Sequence, residues 1–367
     1  MKTLGLASHL DQAETEAEPR ISITLNQIRN FLECPLQATA KRALGLREDE
    51  EDLLSQVHEP FQLDRLHRHK ILTQVIGDLL REHEGRFGAN ITYQNLLDEA
   101  IYRYELKGHF PGGVLRPLNV EFLHQALDQW CQQLGQLDLQ GHAGRYQFGT
   151  GNEETPPEYQ TPPLELELEL DGRKHILEIT GTTQFIFQGE DGLRSIYFSS
   201  SDSKGPGSSR KKTQWGHHVL KSWLDAVALA AADRSETLQA AMIKPHPATP
   251  DWQRFQLRPK EARDYLVALV RDMLKPQHDY LAPGDIILDL AEKAADSEFE
   301  ELFAQRVEKA KNDERGAIIS RYGPLQEWAD FPPAKDIRAL IARRFGPLFR
   351  NLGHDIEHRE CAAEDTP

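Results

Sequence analysis

The chain has 367 residues, a formal net charge of −15, 39% hydrophobic and 28% charged residues. That length supports one large core or two modest ones, and no apolar run approaches the roughly 18 residues of a membrane span. The acidic balance argues against gripping nucleic acid by bulk electrostatics, but it leaves room for a local basic channel. The three cysteines, Cys34, Cys131 and Cys361, form no Cys-x-x-Cys pair, so buried or free thiols in a reducing cytoplasm are expected.

Residues 1–20 lack an apolar signal core and carry Asp11, Glu14, Glu16 and Glu18, the pattern of a solvated tail. Ile21 to Leu46 reads as a helix pair. Thr24 can cap the first helix, with Gln27 at capping-box spacing, and Leu25, Ile28, Phe31 and Leu32 form its apolar face. Pro35 suits the first turn of the second helix and Gly45 its end. Phe61 to Leu80 predicts an amphipathic helix with Leu63, Leu66, Ile71, Val75 and Leu79 inward. Its other side is basic and His-rich: Arg65, His67, Arg68, His69 and Lys70. Further helices are expected over Thr92–Lys107 and Asn119–Leu134, and a loop over Gly141–Pro163.

Alternation of Leu and Glu from Leu164 to Leu170 predicts a half-buried strand. Asp171-Gly172 predicts a hairpin turn, and Ile176–Gly181 the returning strand. A third strand, Leu193–Ser199, follows the turn at Asp191-Gly192. Residues 199–214 are rich in Ser and Gly and carry Lys204, Arg210, Lys211 and Lys212. A helix over Gly216–Ala232 then leads to a strand at Leu238–Ile243, expected to lie parallel to a neighbour. The core therefore reads α-β-β-β-α-β. From Pro259 the pattern is helical: Ala262–Leu274 as one helix, Asp285–Ala310 as one or two, and Ala334–Phe345 as the last. The expected organisation is a domain over 21–257, a helical extension over 258–353, and a tail over 354–367.

Several segments carry a resemblance. The opening ITLNQIRNFLECPLQATAKRALGL resembles that of nuclease domains in the RecB/AddB helicase–nuclease family. HEPFQLDRLHRHKI, SWLDAVALAAA, PDWQRFQLRPKEARDYLVALVRDML and ARRFGPLFRNL resemble, in order, segments of the C-terminal region of RecC, the gamma subunit of exodeoxyribonuclease V. The resemblance covers roughly Ile21 to Leu352 and lacks that subunit's large helicase-like portion. It implies an α/β PD-(D/E)xK nuclease-like (restriction-endonuclease-like) core.

The resemblance also implies where active-site letters would fall. The Gly-x-x-x-His motif falls on Arg65 to His69, keeping only the histidine. The first metal-binding Asp falls on Gln184, the second on Tyr197, and the Lys on Ser199. These residues supply neither the carboxylates that hold Mg²⁺ nor the cation that would aid attack. No catalytic residue, metal or cofactor is expected. A non-catalytic DNA-handling and scaffolding role in double-strand-break repair and recombination is implied, with RecB-like and RecD-like partners, forked or double-stranded DNA, a cytoplasmic location and no membrane.

Candidate phosphate contacts are Arg65, Arg68, Lys70, Lys204, Arg210, Lys211 and Lys212, with a solvated loop as the alternative for the last four. Two other functions stay open. Asp202-Ser203-Lys204-Gly205 spells Asp-x-Lys-Gly and would support an active Mg-dependent exonuclease, although three serines separate it from the strand end. A pure protein-interaction domain is the other. The pairs His67/His69 and His217/His218 lack ligand spacing for zinc. Trp215, Trp223 and Trp252 could stack on bases, with core packing favoured for Trp223.

Overall fold

The computed structural model describes residues 19–43, 61–83, 92–137, 139, 143–150, 157–189, 192–199, 219–245, 250, 252–275, 284–290, 298–311 and 334–353. It opens not with a helix but with strand β1 (Arg20–Thr24), which pairs parallel to a later strand, Ile23 opposite Ile179. Ile21 and Ile23 alternate with Ser22 and Thr24, a period of two that the adjoining helical pattern hides in the sequence. Helix α1 (Leu25–Glu33) then starts at Thr24 with the expected capping box. Gln27 N–H donates to Thr24 Oγ1 at 3.1 Å, and Thr24 N–H to Gln27 Oε1 at 2.8 Å. Its four expected apolar residues are buried. Pro35 begins α2 (Pro35–Ala43); Gly45 lies outside the described residues.

Helices α3 (Arg65–Glu82), α4 (Gln94–Leu106) and α5 (Arg116–Gly135) follow. Asp64 caps α3, its carboxylate accepting from the N–H groups of Leu66 and His67. The expected inward stripe holds at Leu63, Ile71, Val75 and Leu79 but fails at Leu66, which is 58% exposed. The segment expected as a loop carries three two-residue strands: β2 (Ala143–Gly144), β3 (Gln147–Phe148) and β4 (Gln160–Thr161).

Strand β5 (Leu164–Leu170) buries Leu164, Leu166 and Leu168 and exposes its glutamates, as a one-sided strand must. It forms a hairpin with β6 (Arg173–Thr182). Asp171 and Gly172 have φ of 50° and 75°, the two positive values of a type I′ turn. Two strands, not one, follow β6: β7 (Phe185–Gly189) and β8 (Gly192–Phe198), themselves a hairpin. The three-stranded meander expected from sequence is therefore two hairpins joined by a bend at Thr183-Gln184. The first sheet holds β1, β6, β3 and β4, with β5 also on β6. Helix α6 (Val219–Ala231) leads to β9 (Thr237–Ile243), which lies parallel to β8 with Ile196 opposite Ala241. An additional strand, β10 (Trp252–Gln256), pairs antiparallel to β9. The second sheet runs β10-β9-β8-β7-β2.

This second sheet separates two hydrophobic cores. Ile186, Leu193, Tyr197, Leu238, Ala240 and Met242 face α1, α6 and α7. Phe185, Phe187, Ile196, Phe198, Ala241 and Ile243 face α3, α4 and α5. The alternation follows from the two-residue period of a strand, and burial on both faces explains the near-continuous apolar runs of β8 and β9. Trp130 of α5, fully buried, packs on Phe198 with ring centroids 4.8 Å apart.

The remaining helices are α7 (Pro259–Leu274), α8 (Gly284–Asp289), α9 (Phe299–Lys311) and α10 (Ala334–Asn351). They share the first core with α1 and α6, so the described helices of the stretch read as a helical extension pack against that hydrophobic centre. Helix α10 continues six residues beyond Phe345, through Pro347, because Leu348 and Phe349 are fully buried and hold the turn in place. Arg344 anchors it. Its Nε donates to Asp272 Oδ2 at 2.5 Å, its guanidinium stacks 4.7 Å from the Phe31 ring, and its carbonyl accepts from Tyr265. Burial alone would raise the Asp272 pKa; Arg344 and Arg343 outweigh it and hold the carboxyl below its usual range.

Two substitutions test this packing. Asp272→Ala strands a buried guanidinium and should cost about 3–5 kcal/mol in urea unfolding. A methyl group on Gly284 would overlap the Leu32 carbonyl, so Gly284→Ala should cost about 1–3 kcal/mol by the same measurement.

Candidate functional site

The bend between β6 and β7 organises the most unusual chemistry in the described residues. The chain reaches it through Gly181, whose φ of +133° suits glycine, and where a Cβ would lie 3.3 Å from Leu25 N. Thr183 clamps the bend. Its N–H donates to the Tyr146 carbonyl, its Oγ1 accepts from Tyr146 N–H, both at 3.0 Å, and its hydroxyl donates to the Gln184 carbonyl. Extending the β7–β8 pairing of Phe185 with Ile196 by one residue sets Gln184 beside Tyr197. Ser195, Tyr197 and Ser199 alternate onto the face that carries α6.

Asp225, on α6, reaches this bend and is almost completely buried. Its Oδ2 accepts from Gln184 N–H at 3.0 Å and from Ser195 Oγ at 3.3 Å. Burial pushes its pKa up to about 7, against the pull of those two donors and of the Arg145 and Lys221 charges. Lys221, one helical turn before Asp225, sets its ammonium 4.5 Å from the Tyr197 ring centre. Burial, then the Arg29 charge, brings the Lys221 pKa down to about 8. Burial raises the Tyr197 phenol to about 12.

Arg145 follows β2, whose pairing with β7 puts it alongside Phe185. Its guanidinium lies 4.1 Å from that ring, a cation–π arrangement. On the α3 side, burial and then the Lys221 and Arg145 charges depress His69 to about 4, so the imidazole is neutral at pH 7. Arg29 and Glu33 of α1 complete the surroundings as an i,i+4 ion pair at 3.4 Å.

The structure thus brings Gln184, Tyr197, Ser199 and His69 to one end of the second sheet. The residues missing from the sequence reading are Asp225, Lys221 and Arg145. Asp225 and Lys221 sit in an alanine-rich apolar helix that reads as pure core, and their four-residue spacing was the available signal. Arg145 lies in a segment read as a loop. Among the other candidates, Arg65 and Lys70 are exposed on α3. Arg68 turns elsewhere. It stacks 4.4 Å from the Phe122 ring and lines a cavity of about 390 Å³ with Phe61, Leu118 and Asn119. His67 stacks on His109 with ring centroids 4.2 Å apart and pairs with Asp64. Trp223 is fully buried, whereas Trp252 is partly exposed beneath Arg194. Asp202, Lys204, Arg210, Lys211, Lys212, Trp215, His217 and His218 lie outside the described residues.

A divalent cation does not fit these donors. Gln184 and Ser199 are neutral, the Tyr197 phenol is held protonated, and Asp225 is committed to a backbone N–H and a hydroxyl. Mg²⁺ needs ionised hard oxygens, and Lys221 and Arg145 would repel it. Among the described residues there is no group of three His, Cys, Asp or Glu side chains able to hold a metal ion.

A family model for the RecC C-terminal domain matches residues 21–282. The chain belongs to the RecC C-terminal domain family. The match spans both sheets, the bend and α7, and stops short of α8, whereas the sequence resemblance extended to Leu352. No curated protein matches the chain. A solved structure titled "Crystal structure of SSO0001" is similar at 10% identity, covering 72% of this chain and 81% of that one with a TM-score of 0.27. Among the described residues of this RecC-family chain, no helix is long and apolar enough to cross a membrane.

Asp225 sets a pH dependence. Its pKa rises on folding from 3.8 to about 7, so its contribution favours the folded state below the unfolded value and is lost as pH rises through 7. Asp225→Asn should flatten the fall in unfolding free energy between about pH 4 and about pH 7, measured by urea titration. Asp225→Ala leaves the Gln184 N–H without its acceptor and should cost about 1–3 kcal/mol throughout.

Proposed function

We propose that this chain is a non-catalytic DNA-handling and scaffolding module of a RecC-like exodeoxyribonuclease V gamma subunit, acting in double-strand-break repair and recombination. Its frame is a degenerate PD-(D/E)xK nuclease-like fold. The observation that carries this reading is the family match over residues 21–282. The architecture is compatible with it: two hairpins, a crossover helix and a parallel strand, with a polar cluster where the strands bend.

The side chains at the bend favour loss of chemistry over its retention. Gln184, Tyr197 and Ser199 stand where the resemblance would put two carboxylates and a lysine. The nearby carboxylate, Asp225, is turned to a structural task by its buried hydrogen bonds. A module of this kind would work in the cytoplasm with RecB-like and RecD-like subunits and forked DNA. Its overall charge of −15 means that DNA contact would depend on local cations or on partner subunits. Exposed Arg65 and Lys70, and the basic segment with Lys204, Arg210, Lys211 and Lys212, are the candidates proposed for the first route.

The deciding experiment mixes the full chain with a forked duplex, with and without Mg²⁺ and with and without RecB-like and RecD-like partners. Partner-dependent fork binding with no cleavage is expected. Mg²⁺-dependent cleavage abolished by Asp202→Ala would replace this reading with an active exonuclease. Partner binding with no DNA crosslink would leave a pure interaction domain.

A further inference from the structure

The cations at the bend are out of proportion to the carboxylates. Arg29 is committed to Glu33 by their ion pair. Arg145 and Lys221 face Asp225, an almost completely buried carboxyl already holding a backbone N–H and a hydroxyl, and the Glu33 charge also reaches Lys221. Among the described residues, both cations rest on aromatic rings, Arg145 on Phe185 and Lys221 on Tyr197, rather than in ion-pair contact with a carboxylate. Among the described residues, the fold thus sets two cations with no contacting carboxylate around one strand bend.

Their positions are set by backbone pairing. Arg145 is held between β2, paired to β7, and β3, paired to the end of β6, so it sits against the bend itself. Lys221 is set by α6, which the Asp225 hydrogen bonds pin to Gln184 and Ser195. Phe185 and Tyr197 belong to opposite faces of the sheet. The two cations therefore flank the sheet end from its two sides, Arg145 exposed and Lys221 partly so. A guanidinium fork and an ammonium point charge form a complementary pair of donors for a tetrahedral oxyanion.

We propose that Arg145 and Lys221 form a metal-free anion site at the β6–β7 bend that grips a backbone phosphate of a DNA strand. The site rests on the DNA-handling reading and names one of its contacts. The two fixed cations supply the positive charge, the phosphate is held, and no bond is broken. Neutral His69 lies within the electrostatic reach of both cations and can donate a hydrogen bond without adding charge.

The test measures fork affinity of the full chain, with partners if they are required, by fluorescence anisotropy across a salt series. The variants are Arg145→Gln, Lys221→Met and, as a control at the far end of β6, Arg173→Gln. Lys221→Met keeps the aliphatic stem; Arg145→Gln alters an exposed side chain and gives a second reading should the buried change unfold the chain. Each of these two is expected to weaken binding several-fold and to lower the slope of log affinity against log salt by about 0.7–0.9, with Arg173→Gln unchanged. Unchanged affinity and slope in Arg145→Gln, or in both variants, would overturn the site while leaving DNA handling intact. If even the wild type binds no fork with partners, the site and the functional reading fall together. Inorganic phosphate separates the two sources of the same chemistry. Competition with the fork that is lost in the variants supports the site. Thermal stabilisation by phosphate that is lost in the variants, with an unmoved DNA slope, would assign it to free phosphate and overturn the DNA contact.

Discussion

The buried carboxyl of Asp225 is the constraint on which the site depends. It ties three separate elements through two hydrogen bonds: the bend after β6, strand β8, and helix α6. Without it, the Gln184 N–H at the bend would face a low-dielectric interior unpaired, at a cost comparable to a substantial share of a domain's stability. The same carboxyl fixes the rotation of α6 and so aims Lys221 at Tyr197. A group that reads as a structural pin thereby sets the geometry of the charges around it.

The second sheet gives this pin its setting. Its central strands, buried on both faces, divide the interior into two cores, and polar groups gather at one end of the sheet. The bend lies at such an end, where strands β6 and β7 pass from one sheet to the other. Helices α1, α3 and α6 all reach it, from both faces, which is why His69 and Lys221 influence one another. On the opposite flank, the Asp272–Arg344 pair fastens α10 to α7 and, through the Phe31 ring, to α1. Helices α1 and α10 thus share one buried anchor.

Legibility in the sequence followed the strength of local periodicity. Alternating Leu and Glu in β5, the Asp-Gly turn after it, and the Thr24/Gln27 capping box all translated directly into structure. Strand β1 was hidden because five alternating residues run straight into a helical pattern. Strands β7 and β10 were missed because each is only five residues long, and Leu66 was misassigned because a residue in a helix's first turn can satisfy the stripe and still face solvent. Within the site, Gln184, Tyr197, Ser199 and His69 follow from the resemblance, while Asp225 and Lys221 sit in an apolar helix with only their four-residue spacing as a signal, and Arg145 lies in a segment that reads as a loop.

The amino-acid sequence by itself determined the helices, the hairpin, the parallel crossover strand and the family to which the chain belongs, because each rests on short-range period, turn chemistry or ordered motifs. Only the tertiary structure decided which polar groups share an environment. Asp225 and Gln184 are separated by 41 residues, and Arg145 and Lys221 by 76. Their proximity comes from strand pairing and from helix α6 docking on the sheet, and the shifted acidity of Asp225 comes from the burial that docking imposes. Desolvation and charge proximity are properties of the packed chain, so they have no signature in the order of its residues.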